Sequence, residues 1–193
     1  MREYNLIADW YASERVDETG ISEVRALAAM VDPAGRVLDI GCGNGVPLTQ
    51  TLLRSGHRVV GLDSASNMLG RFRANCLDTP AVKGSAQDCP FAARTFDAAI
   101  AWGVMFHLKQ AEQIQAIASL SRVLKTGAPF LFTAGDEDDD SGDHVGTMNG
   151  VEFHYYSFTI DGYRSVLNDH DFTLIDFHTD SGKNRYYLAQ KIA

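Results

Sequence analysis

Nowhere in this 193-residue chain do apolar residues run for the ~20 positions that a membrane-spanning helix needs. The opening MREYNLIADWYASER is charged at short intervals and lacks the apolar centre of a secretory leader, so no membrane association is expected. Cysteine is scarce: Cys42, Cys76 and Cys89 are odd in number, widely spaced and without metal-ligand spacing, which points to reduced thiols and a cytoplasmic protein. Basic charge is in short supply as well. With 17 Lys and Arg against 25 Asp and Glu the formal charge is −8, and no cationic cluster interrupts it. Nucleic acids and anionic membranes both call for a basic footprint, so neither is an expected partner. What remains, 45% hydrophobic and 22% charged, is ordinary globular material of one domain's length, with no internal repeat.

Against these absences stands one dense segment, VLDIGCGNG, from Val37 to Gly45. Val37, Leu38 and Ile40 suit a strand buried on both faces. Gly41, Gly43 and Gly45 then allow positive φ and bring a ligand close to the main chain. The following VPLTQTLLRSG is helical in pattern and directs unpaired N–H groups back toward the loop. Helix-like and strand-like segments alternate from there, which predicts an α/β domain. Strands are expected over 57–63, 81–84, 96–102 and 128–134, and helices over 3–13, 22–30 (Ser22 as N-cap), 64–75, 110–124 and 159–168 (Thr159 as N-cap). Residues 135–150 read as an acidic loop. Phe172–Thr179 and residues 184–191 close the chain as a β-hairpin.

Asp63 ends the second expected strand, eighteen residues past Gly45, where an acid can accept from both hydroxyls of a ribose. A dinucleotide fingerprint would place its last glycine at position 46, which is Val46 here. Three more segments follow in order: GSAQDCPF (84–91), FDAAIAWGVMFHL (96–108) and LKTGAPFLF (124–132). With VLDIGCGNG and GLDSASNML they resemble the class I S-adenosylmethionine-dependent methyltransferases, the compact bacterial type with a UbiE-like (type 11) core. The likeness covers roughly residues 35–135. It implies an α/β, Rossmann-like, seven-stranded and mostly parallel sheet with helices on both faces and an antiparallel C-terminal hairpin. A single domain over 1–193 is then expected, with a helical lid (1–31), a cofactor-binding core (35–134) and an acceptor-side loop, helix and hairpin (135–193).

The same resemblance implies S-adenosyl-L-methionine as cofactor and assigns roles residue by residue. Gly41, Gly43 and Gly45 would cradle the methionyl portion, with Asp39 orienting the loop and the amino group. Asp63 would hold the ribose, with Ser64 and Met68 along the adenosine. Ser85, Ala86 and Gln87 would meet the adenine. Ser85 departs from the Asp or Asn common in the family, so either Gln87 or Asp88 accepts from the adenine amine or the adenine is held less tightly. Trp102 and Gly103 would face the methionine amine and the acceptor. Tyr11, with Tyr4 and Trp10, would close the pocket from an N-terminal helix; the same spacing also suits core packing.

The implied activity is in-line methyl transfer to a small-molecule acceptor, catalysed by a monomer or homodimer. His107, beyond the fourth strand, and His154, in FHYYSF, are the candidate bases, since imidazole titrates near neutrality. A backbone-bonding role for His107 is the alternative. Phe153, Tyr155 and Tyr156 offer either an aromatic wall for a planar acceptor or lid packing. No Asn/Asp-Pro-Pro-Tyr follows the fourth strand, which argues against nucleobase and glutamine-amide substrates. The acids of Asp136–Asp143 are consecutive rather than spaced as ligands, so no metal is expected. Two further readings stay open: a non-catalytic S-adenosylmethionine binder and a nicotinamide-dependent reductase.

Overall fold

Alternate residues of the buried strands pack into two separate cores. This computed structural model describes residues 2–14, 18–135, 143–179 and 185–193. In strand β1 (Arg36–Ile40), Leu38 and Ile40 face one layer while Val37 faces the other. Strand β4 (Ala98–Ala101) divides likewise, with Ala99 and Ala101 on one side and Ala98 and Ile100 on the other. Helices α5 (Gln110–Val123) and α6 (Ile160–Asn168) cover the first face through Ile117, Leu120 and Tyr163. Helices α2 (Ile21–Ala29) and α3 (Leu48–Arg54) cover the second through Val24, Leu27 and Leu52. The period of two along a strand, with helices on both faces, is what makes these segments apolar throughout.

Strands β2 (Arg58–Asp63), β3 (Ala81–Lys83), β5 (Pro129–Ala134), β8 (Phe172–Thr179) and β9 (Arg185–Lys191) complete a seven-stranded sheet. Its order is β3-β2-β1-β4-β5-β9-β8, parallel except for β9, which runs antiparallel to both β5 and β8. The order reverses direction between β1 and β4, and crevices outside the carboxyl ends of strands at such a point are where open α/β sheets bind ligands. Helices α1 (Arg2–Glu14) and α4 (Ser66–Asn75) pack together, and Asn5 and Asn67 join them by two hydrogen bonds of 3.0 and 3.1 Å. No helix among the described residues is long and apolar enough to cross a membrane.

Two local expectations change. Helix α2 begins at Ile21 behind Gly20, whose φ of 85° lets it serve as N-cap, and the Ser22 hydroxyl donates to Glu23 instead. Thr159 does cap α6, accepting from the Gly162 amide at 3.1 Å. The larger change lies in the stretch expected as loop. Residues 143–148 form strand β6 (Asp143–Met148), paired antiparallel with β7 (Val151–Tyr156) as a separate ribbon. Asn149 and Gly150, with φ of 46° and 75°, make the turn, and two consecutive positive-φ residues match the right-handed twist of a hairpin. The acids at 136–142 lie outside the described residues.

Candidate functional site

At the carboxyl ends of β1, β2 and β4 lies a cavity of about 350 Å³. Tyr11, Gly41, Gly43, Asp63, Ser64, Met68, Ser85, Ala86, Gln87, Trp102, Gly103 and His107 all line it. Asp39 and Gly45 instead line a smaller pocket of about 50 Å³ behind the glycine loop, which shares Tyr11, Gly41, Gly43 and Trp102 with the main cavity. Asp88 is exposed and outside the lining, so of the two substitutes for the family's adenine acceptor only Gln87 faces the space. Val104 and Leu108, from the 96–108 segment, also contribute, as do Thr19 and Glu112, which no motif marks.

The loop is held from both ends. Gly41 donates its N–H to the Leu62 carbonyl at 2.7 Å, docking the turn onto β2. Asp63 accepts from the Gly43 amide at 2.9 Å and from the Ala65 amide at 2.7 Å. The Ser64 amide also bonds this carboxylate, and Asp63 lines the cavity, where a carboxylate oxygen can accept from a hydroxyl. Burial raises the Asp63 pKa, against the Ala65, Gly43 and Ser64 amides that lower it. Asp39 is buried beneath the loop and accepts from the Thr49 hydroxyl of α3. Its carboxyl is raised to about 7, chiefly by burial, opposed by the Thr49 bond and reinforced by the Asp63 charge. The Cys42 thiol is pushed up by burial and by both carboxylates, which leaves it protonated and non-nucleophilic.

A ligand with a ribose and an adjacent chain fits this lining. A Cβ on Gly43 would meet no atom nearer than the Gly41 carbonyl oxygen at 3.9 Å, and one on Gly103 none nearer than Phe106 at 4.0 Å. Side chains there would project into the cavity itself, so the glycines keep main chain exposed to an occupant. Trp102 stands at the end of β4 with its ring 4.7 Å from that of Tyr186 and packed on Gly20. The Gly103 amide is held by the Thr133 hydroxyl at 2.8 Å.

His107 ends a single 3-10 turn (Met105–His107) and is buried at the cavity wall. Its Nδ1 lies 3.2 Å from the His154 carbonyl oxygen, which can only accept, so Nδ1 carries the proton. Nε2 is therefore the lone-pair nitrogen, and the Tyr4 hydroxyl donates to it at 3.0 Å. Burial lowers the His107 pKa to about 4, outweighing the His154 bond and the Glu3 charge that raise it, so the ring is neutral above that pH.

His154 is not brought to the cavity. It alternates with Phe153 and Tyr155 along β7, and the pleat sends its ring to the opposite face. There it is exposed, 3.3 Å from Glu152 and stacked on Tyr156. Phe153 and Tyr155 turn inward onto His107, with ring centroids at 5.5 and 4.9 Å.

Residues 37–127 match a family model described as a methyltransferase domain. Over 103 residues the chain is 40% identical to an uncharacterized methyltransferase of Synechocystis, a match covering 53% of this chain and 48% of the relative. It is 37% identical over 98 residues to demethylmenaquinone methyltransferase of Corynebacterium kroppenstedtii, covering 49% and 39%. The chain thus spans about half or less of the length of these curated relatives. Among solved structures, the 1,6-didemethyltoxoflavin-N1-methyltransferase of Burkholderia thailandensis, with bound 1,6-didemethyltoxoflavin and S-adenosylhomocysteine, superposes with a TM-score of 0.76 at 20% identity, covering 100% of this chain and 88% of that one.

Proposed function

The chain belongs to the class I S-adenosylmethionine-dependent methyltransferases, and from that premise we propose that it methylates a small-molecule acceptor by in-line transfer. The observation that carries this reading is the lining of the 350 Å³ cavity, where the glycine loop and the Asp63 carboxylate stand at the sheet's reversal point with His107 on the far wall. Relatives named for demethylmenaquinone and 1,6-didemethyltoxoflavin support a small acceptor. We read the chain as one domain of 1–193, with 1–31 as lid, 35–134 as cofactor core and 135–193 on the acceptor side. A cytoplasmic monomer or homodimer without nucleic-acid or membrane partners fits its net charge of −8.

When bound, the cofactor supplies an electrophilic methyl on a sulfonium, an activated leaving group. The protein's part is then alignment and exclusion of water. Asp63 would hold the ribose and Gln87 the adenine edge, with Ser64, Met68, Ser85 and Ala86 along the nucleoside. Gly41, Gly43 and Gly45 would carry the methionyl chain past Asp39. Tyr11, Trp102 and Gly103 would flank the reacting end. His107 would take the acceptor's proton. His154 would act only through the carbonyl that fixes the His107 tautomer.

Calorimetry with S-adenosylhomocysteine and with NADH tests the reading directly. Binding of the former alone is expected; binding of NADH alone would overturn it in favour of a reductase. Asp63→Ala is expected to weaken S-adenosylhomocysteine by about 1.5–3 kcal/mol, the scale of lost charge-assisted hydrogen bonds. Unchanged affinity would place the ribose elsewhere.

Asp39 makes the affinity depend on pH. Its carboxyl titrates near 7, and only the ionised form attracts the methionyl ammonium. Affinity for S-adenosylhomocysteine therefore rises with pH by up to about tenfold per unit below pH 7 and levels off above it. The ligand expels a proton when it binds under acidic conditions. Titrations in buffers of different ionisation enthalpy measure that release, and Asp39→Asn should flatten the profile. A wild-type profile already flat from pH 5 to 8 would remove Asp39 from this role.

A further inference from the structure

A second cavity, of about 220 Å³, adjoins the first and shares Tyr4, Tyr11, Gly103 and His107 with it. Its own walls are Trp10, Phe106, Met148 and Tyr155, drawn from α1, the 3-10 turn and the β6–β7 ribbon. Phe106 and Tyr155 lie 5.7 Å apart at a 31° tilt, and His107 sits 4.7 Å from Phe106 and 4.9 Å from Tyr155. No lysine or arginine is among the described residues lining this chamber, and its one charged group is Glu14. The volume falls below the range of about 300–1,000 Å³ typical of sites for drug-sized ligands, which favours one or two fused rings. Offset and edge-on aromatic surfaces suit a flat, conjugated guest.

The Tyr4 hydroxyl already displays the guest's chemistry. It is a phenol O–H donating to the lone pair of His107 Nε2, at the point where the two cavities meet. Building on the methyltransfer reading, we infer that the acceptor is a compact, uncharged aromatic molecule bearing an O–H or N–H, bound in this chamber so that its own donor replaces Tyr4 on His107 Nε2. An anionic acceptor is disfavoured by the Glu14 carboxylate, with no lysine or arginine among the described lining residues to offset it. As the acceptor's oxygen or nitrogen forms its bond to the methyl, its proton passes to Nε2, and the electron pair of the broken S–CH₃ bond stays on sulfur. The sulfonium charge disappears as the imidazolium charge appears, so the net charge of the site is unchanged by the step. Tyr4 is a positioning residue: it holds His107 in its acceptor state and yields its place when the guest arrives.

The test is an equilibrium one. Protein saturated with S-adenosylhomocysteine is titrated with 2-naphthol and, separately, with 6-hydroxy-2-naphthoate, following Trp fluorescence and the ¹⁵N resonances of the His107 ring. The inference expects 2-naphthol to bind at least about tenfold more tightly than the carboxylate, equivalent to about 1.4 kcal/mol, and to shift the Nε2 resonance. In Tyr4→Phe the competing donor is gone, so 2-naphthol should bind several-fold tighter and the His107 ring should titrate at higher pH. Tyr155→Ala should weaken 2-naphthol with S-adenosylhomocysteine affinity retained. Normal S-adenosylhomocysteine binding without any 2-naphthol binding, or tighter binding of the carboxylate, overturns the inference and leaves the methyltransfer reading standing. A Tyr4→Phe protein with unaltered naphthol affinity and unaltered ring titration overturns the part assigned to Tyr4. Absence of S-adenosylhomocysteine binding in the wild type overturns the underlying reading instead.

Discussion

His107→Asn is expected to lower kcat/KM for the acceptor by about 10²–10⁴, the usual range for loss of a general base, with S-adenosylhomocysteine affinity changed less than about threefold. Asparagine keeps an N–H for the His154 carbonyl, which His107 Nδ1 now serves at 3.2 Å, but it brings no basic nitrogen to the place of Nε2. The contrast separates proton transfer from packing. His107 is buried among Tyr4, Phe106, Phe153 and Tyr155, so a merely structural role would show first as lost stability, with catalysis by the folded fraction intact. The pH profile gives an independent check. Because burial holds the imidazole pKa down to about 4, the ring is a free base at neutral pH. At saturating cofactor the acceptor rate should thus show no His107 inflection near the ordinary 6.5, and should fall only as the pH approaches 4. A loss smaller than about threefold in the folded variant would show that the acceptor needs no base.

Gly41→Ala should cost about 2–5 kcal/mol of stability, about 1–2 for a side chain in the left-handed region and about 1–3 for overpacking. Gly41 has φ of +64°, and a Cβ built on it falls 2.1 Å from Val104 Cγ2. Val104 is β-branched and nearly buried, so it has little freedom to rotate away. In a chain of this size, about 2–4 °C of Tm per kcal/mol translates this into a fall of roughly 4–20 °C. Gly56→Ala is the matched control. Its φ is +88° but nothing lies within 4 Å of the added atom, so only the backbone term of about 1–2 kcal/mol remains. Thermal unfolding of the two variants side by side measures the contact with Val104. Equal shifts would show that Val104 repacks freely and that the loop tolerates a side chain.

Much of the site was legible along the chain because the sheet makes it local. A strand buried on both faces needs a continuous apolar run, the glycines must follow its carboxyl end, and the proposed ribose acceptor ends the neighbouring strand. VLDIGCGNG and Asp63 meet those needs in one stretch of chain, and the structure sets Asp63 against the Gly43 amide. The β6–β7 ribbon was missed for the opposite reason. Asp143–Met148 carries no clean alternation, since it pairs with β7 alone and its side chains are mostly exposed or half-buried. The Asn149-Gly150 pair was the available signal, a dipeptide whose preference for positive φ marks a tight hairpin. With β7 unrecognised, its period of two could not be used, and so His154 and Phe153 could not be assigned to opposite faces.

By itself, then, the amino-acid order determined the α/β alternation, the strand ends and the glycine loop, all consequences of backbone periodicity and φ preference over a few neighbouring residues. Only the folded chain decided which groups meet. Tyr4 and His107 are 103 positions apart, and their hydrogen bond exists because α1 and the β6–β7 ribbon close over the end of β4. Burial, which no local pattern encodes, is what keeps His107 neutral at that closure and Asp39 near 7 beneath the glycine loop.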